Sequence, residues 1–81
     1  MNVVVKLFAG VRELAGTNEV SLDLPSGATV GQLREQLMAE HTMLRPLLSH
    51  AMFSLDAEYC NNDTQVAENA EIACIPPVSG G

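Results

Sequence analysis

Eighty-one residues, 47% of them apolar, are enough for one domain with a core near the lower limit for folding alone, and exclude a disordered segment. Ten acidic against four basic side chains give a net charge of −6. The cations Lys6, Arg12, Arg34 and Arg45 are scattered, so nucleic acid and anionic membrane are not expected partners, whereas a partner with a basic pocket fits. No apolar run is long enough to span a bilayer, and MNVVVKLF lacks the basic start and cleavage site of a signal peptide, so the expected location is the cytoplasm. Cys60 and Cys74 match no disulfide framework, metal motif or redox motif and read as small core hydrophobes. His41 and His50 read as polar positions around a helix end. No cysteine or carboxylate stands beside them at ligand spacing, so no metal site is expected.

Val3 to Phe8 is a β-branched and aromatic run and predicts a first strand. Val3, Val5 and Leu7 share one face, and Val4, Lys6 and Phe8 the other. Ala9 to Ala15 predicts a short helical turn closed by Gly16 as a left-handed cap. Glu19 to Leu24 alternates strictly, with Val20, Leu22 and Leu24 inward, as in a half-buried antiparallel strand. Its short connection to the first strand predicts a hairpin, and Pro25-Ser26-Gly27 stops it.

Thr29 with Gln32 three residues on predicts a capping box at the start of the main helix. Val30, Leu33 and Leu37, with Met38 beside them, form its apolar stripe; Arg34, Glu35 and Glu40 are expected in solvent. Gly31 costs about 1 kcal/mol relative to alanine in a helix, and close packing on the sheet would account for it. Leu44 to Leu48 predicts a second short helix with Pro46 in its first turn. Ala51 to Leu55 predicts a third strand, Asp56-Ala57 a tight turn and Glu58 to Cys60 a short fourth strand. Asn61 to Thr64 is loop chemistry, and Gln65-Val66 a brief extended piece. Glu68 to Ala70 turns again, with Asn69 suited to positive φ. Glu71 to Ile75 is the last strand.

The order β-β-α-β-β-β predicts an α+β fold: one five-stranded mixed sheet with the main helix across one face and short helical inserts. The last strand lies parallel to the first near the middle of the sheet. This is the β-grasp arrangement of ubiquitin-like proteins. The second face is then left open, with Val4 and Phe8 from the first strand, Ala73 and Ile75 from the last, and Tyr59 able to join them. Exposed apolar residues gathered in this way mark a binding surface.

The chain leaves the last strand as Ile75-Pro76-Pro77-Val78-Ser79-Gly80-Gly81, with no charged side chain after Glu71. Two prolines stiffen the exit and cannot donate ladder hydrogen bonds. Two glycines make a thin tip that carries only a backbone carboxylate. The expected division is a domain over residues 1–76 and an extended tail over 77–81. Fully extended, Pro77 to Gly81 reaches at most about 17 Å.

The segments Phe8-Ala9-x-x-Arg12-Glu13-x-x-Gly16 and Ile75-Pro76-Pro77-Val78-Ser79-Gly80-Gly81 together resemble the MoaD family, the small sulfur-carrier subunit of molybdopterin synthase. The likeness extends over essentially the whole chain. It departs from the family at Asp56-Ala57, where Asn-Gly is frequent, at Glu68-Asn69-Ala70-Glu71, where Asp-Gly-Asp-Glu is frequent, and at Cys74, where a larger residue is usual. None of these touches the tail.

The resemblance implies that a ubiquitin-activating-like adenylyltransferase uses ATP to adenylate the carboxylate of Gly81. A sulfur donor then leaves a thiocarboxylate. The tail delivers sulfur to a cyclic pterin phosphate in the large synthase subunit, within a heterotetramer of two small and two large subunits. The chain itself binds no cofactor and is not catalytic alone. Gly81 carries the sulfur and Gly80 lets the tip pass a narrow channel. Phe8, Tyr59, Ile75, Pro76, Pro77, Val78 and Ser79 meet the partner. Arg12 and Glu13 fit either a partner contact or a structural ion pair or helix cap. A carrier for a thiamin-like pathway, a ubiquitin-like modifier that forms isopeptide bonds, and a plain interaction domain are the alternatives.

Overall fold

The computed structural model describes residues 1–77. Five strands form one sheet: β1 (Asn2–Leu7), β2 (Glu19–Asp23), β3 (Met52–Leu55), β4 (Glu58–Cys60) and β5 (Ile72–Ile75). Their spatial order is β2-β1-β5-β3-β4. β5 runs parallel to β1 and antiparallel to β3, and the outer pairs are antiparallel. The expected β-grasp topology is therefore present, with first and last strands side by side.

The even spacing of Val3, Val5 and Leu7 puts all three in the core, as strand periodicity requires. Ile72 and Cys74 join them from β5. In register, Leu7 pairs with Cys74, Cys74 with Phe53 and Phe53 with Cys60, one continuous row on the helix side of four strands. Both cysteines flank Phe53, so they stand two strand steps apart, roughly 9–10 Å, and cannot bridge. Both are free thiols; Cys74 is buried as expected, whereas Cys60 is only half-buried.

The capping box forms: the Thr29 amide donates to Gln32 Oε1 at 2.8 Å, and the Gln32 amide donates to Thr29 Oγ1 at 3.3 Å. Helix α2 (Val30–Glu40) then buries Val30, Leu33 and Leu37. Its next two N-terminal amides are satisfied from outside the helix. Val30 donates to the Thr64 carbonyl and Gly31 to the Asn62 carbonyl, at 2.8 and 2.9 Å. A Cβ on Gly31 would lie 3.3 Å from both the Cβ and the carbonyl oxygen of Asn62. Gly31 thus permits close approach of the Asn61 to Thr64 loop, and not of the sheet as expected.

Arg34 is the larger correction. It is half-buried and folded back onto the domain instead of reaching out into solvent. Its Nη1 donates to the carbonyls of Leu48 and Ala51 at 2.7 and 2.6 Å, its Nη2 and Nε share Asn62 Oδ1, and its guanidinium lies over the Phe53 ring. Its long apolar stem spans the core rim while the fork finds carbonyls that no helical periodicity could report.

The short helices lie on the same side of the sheet. α1 (Ala9–Ala15) buries Val11 and ends at Gly16 in the left-handed region, as expected. A 3-10 turn (Thr42–Leu44) leads into α3 (Arg45–Leu48), with Pro46 in its first turn. Phe8 stands just past the end of β1 as the extended residue before α1 instead of closing the strand. Asp56 and Ala57 both have positive φ, 51° and 68°, the condition for the tight hairpin turn between β3 and β4. Asn69 also has positive φ, as predicted. No helix among the described residues is long and apolar enough to cross a membrane.

Candidate docking face and carrier tail

The register that buries Val5, Ile72 and Phe53 sends their neighbours to the other side of the sheet. Glu19, Lys6, Ala73, Ser54 and Tyr59 form one row across all five strands of that open face. Two residues further along β5 and two back along β3, on the same face, Ile75 pairs with Met52. Around this end of the sheet Phe8, Met52 and Tyr59 are exposed, and Ala73 and Ile75 half-buried. Phe8, Met52, Ala73 and Ile75 give this end of the open face its apolar character.

The face has relief. Phe8, Ser54, Ala57, Glu71, Ala73 and Ile75 line a shallow depression of about 420 Å³. Phe8 and Ile75, named from sequence alone, are thereby brought together. Tyr59 shares their face by register but lines a different depression, with Leu55, Glu58, Cys60, Asn61 and Thr64. Sequence reasoning missed Met52, Ser54 and Ala57. The period of two was the available signal: once Phe53 is placed inward, Met52 and Ser54 must point outward.

Charge frames the apolar centre. Lys6 Nζ stands 3.2 Å from Glu71 Oε1, the one ion pair among the described residues, and both side chains are exposed. Lys6 also lines a second hollow with Leu7, Phe8, Arg12, Asn18 and Glu19. Phe8 is therefore the wall between an apolar depression and a polar one that holds two of the four cations. Arg12 and Glu13 are exposed, and neither makes an ion pair among the described residues. The structural ion pair offered as one of their readings does not form there.

Burial pushes the Cys74 thiol up to about 11 against the opposing pull of the Arg34 guanidinium, and raises the Cys60 thiol for the same reason. Both thiols are thereby held in the protonated form at neutral pH, in which a thiol is a poor nucleophile. Among the described residues no three histidines, cysteines or carboxylates gather as a metal site.

The tail leaves from a fixed place. β5 lies at the centre of the sheet, hydrogen-bonded on both sides, and Ile75 passes the chain to half-buried Pro76 and exposed Pro77 beside the Phe8 depression. Val78, Ser79, Gly80 and Gly81 lie outside the described residues.

The ThiS family profile matches residues 5–81. The chain belongs to the ThiS family. The molybdopterin synthase sulfur carrier subunit of Chlamydomonas reinhardtii is 37% identical over 83 residues, covering 100% of both chains. The protein of that name from Arabidopsis thaliana is 35% identical over 81 residues, covering 100% of this chain and 84% of its own. The crystal structure of SAMP1 from Haloferax volcanii superposes with a TM-score of 0.85 at 31% identity over 100% of both chains. The resemblance carried by Phe8-Ala9-x-x-Arg12-Glu13 and the Pro-Pro to Gly-Gly ending is thus that of the whole chain.

Proposed function

We propose that this chain is the sulfur carrier subunit of a molybdopterin synthase and works in molybdenum cofactor biosynthesis. The observation that carries this reading is similarity over the full length of the chain, at 35–37% identity, to two proteins of that name. The architecture supports it, because a central strand delivers the tail next to an apolar face.

A carboxylate does not exchange oxygen for sulfur unless it is activated. An ATP-using adenylyltransferase resembling ubiquitin-activating enzymes joins AMP to the carboxylate of Gly81. A sulfur donor displaces AMP and leaves a thiocarboxylate. The large synthase subunit holds the cyclic pyranopterin monophosphate, and the loaded tail gives up its sulfur there. The dithiolene needs two sulfurs, so two loaded carriers act per product, consistent with a heterotetramer of two small and two large subunits. Hydrolysis restores the carboxylate.

Each residue has a part. Gly81 bears the sulfur, and Gly80 offers no side chain to obstruct a narrow channel. Pro76 and Pro77 limit the conformations the tail loses on docking. Phe8 and Ile75, with Ala73 and Met52, form the docked apolar surface, and Tyr59 extends it across β4. Val78 and Ser79 are the tail residues that meet the partner between this surface and the Gly80-Gly81 tip.

A second reading is favoured by the likeness to SAMP1, a small archaeal modifier protein: an activated Gly81 joined to amines instead of sulfur. Incubating the chain with its activating enzyme, ATP and a sulfur source, then measuring intact mass, separates the two. Replacement of one oxygen by one sulfur is the carrier outcome. Covalent adducts to lysines in place of that gain overturn it in favour of the modifier.

A further inference from the structure

An activated carboxylate reacts with whatever amine meets it, and this chain holds a single lysine, Lys6. The α-amine of Met1 is the other amine. It donates to the Leu24 carbonyl at 2.6 Å in a partly buried position. Lys6 is different in every respect that matters for acylation. Its side chain is 51% exposed, it projects from the open face next to Phe8, and Glu71 Oε1 fixes its amine at 3.2 Å. We propose that Lys6 is a modification site: its amine takes the activated glycyl group of Gly81 from a second copy of this chain. The inference rests on the activation of Gly81 proposed above.

The step balances without a further reagent. The Lys6 ammonium gives up one proton to become a nucleophile, and Glu71 is the carboxylate within reach of it. The nitrogen then attacks the carbonyl carbon of the glycyl adenylate. A C–N bond forms, the C–O bond to phosphate breaks, AMP leaves with the electron pair, and the nitrogen loses its second proton to solvent. One donor and one side-chain acceptor per copy allow only a linear chain of a single linkage type. The Lys6 side chain is half exposed and stands clear of the core, so the acceptor copy keeps its fold when linked.

The test uses the full chain with its adenylating enzyme and ATP, and with the sulfur source left out. Pyrophosphate release reports activation separately from linkage. The expected result is a ladder of covalent multimers whose digestion yields one branched peptide, Gly81 joined to Lys6. In Lys6→Arg, which keeps the cation beside Glu71, the ladder is lost per adenylate formed. Activation without a ladder overturns the Lys6 site and leaves the carrier reading intact, as does a ladder that persists in Lys6→Arg or maps to Met1. Absence of pyrophosphate release overturns both.

Discussion

The guanidinium carbon of Arg34 lies 5.0 Å from the centroid of the Phe53 ring. That contact joins α2 to β3 at the row shared by Leu7, Cys74 and Cys60, and the same fork satisfies the carbonyls that end α3 and open β3. Hydrogen bonds to a charged donor are each worth about 1.5–3 kcal/mol, and a cation over a ring adds about 0.5–1. Arg34→Met keeps the stem and removes the fork, and should cost about 2–3 kcal/mol in urea unfolding. Arg34→Lys should recover less than half of this, because an ammonium cannot hold two carbonyls and Asn62 together. Wild-type stability in Arg34→Met would mean that the fork is dispensable.

Ala57 is an L-residue held at φ 68°, where glycine is at ease. The left-handed region costs an alanine about 1–2 kcal/mol, against about 0.5–1 kcal/mol of extra chain entropy lost by glycine. Ala57→Gly should therefore stabilise the protein by about 0.5–1 kcal/mol, read as a higher denaturation midpoint at unchanged slope. Ala57→Val should do the reverse.

Phe8 is 42% exposed, outside the core. Phe8→Asp should change folding stability by about 0.5 kcal/mol or less, as exposed substitutions do. It should weaken binding to the large synthase subunit by about tenfold or more, about 1.4 kcal/mol. Unchanged binding with collapsed thermal stability would place Phe8 in the core and refute the docking face.

Cys74 gives a signature at high pH. Below its ordinary value of 9.0 the thiol is protonated whether the chain is folded or not, so it adds no pH dependence there. From 9.0 towards about 11 only the unfolded thiol ionises, so the unfolded state gains and stability falls as pH rises. Urea midpoints measured across that interval should decline more steeply in the wild type than in Cys74→Val. Parallel curves would show that Cys74 is not held neutral by the core.

Deleting Gly81, or extending the chain past it, should abolish sulfur transfer and leave the thermal transition in place. Transfer by either variant would refute the carrier mechanism.

Most of the architecture was legible because local chemistry and tertiary role agree. Thr29 and Gln32 cap whichever helix follows them, and Val3, Val5 and Leu7 bury the same side of any sheet that includes them. The parity of β1 and β5 was enough to put Phe8 and Ile75 on one face. What stayed illegible depends on segments far apart in the chain. Arg34 looked like a solvent residue on a helix, because its acceptors at Leu48, Ala51 and Asn62 come from a helix end, a strand entry and a loop. Gly31 reads as a glycine for packing on the sheet, but the neighbour it accommodates, Asn62, lies 31 residues on. Tyr59 has the right face and the wrong depression, because β4 sits at the sheet edge, two strands from β5.

The position of β5 has a mechanical meaning. The strand is bonded to β1 on one side and β3 on the other, and both ladders run along the direction in which the tail departs. A pull on the chain beyond Pro77 loads the two ladders in shear, many bonds at once, whereas an edge strand could peel away one bond at a time. A partner that grips the tail would therefore pull against both ladders together.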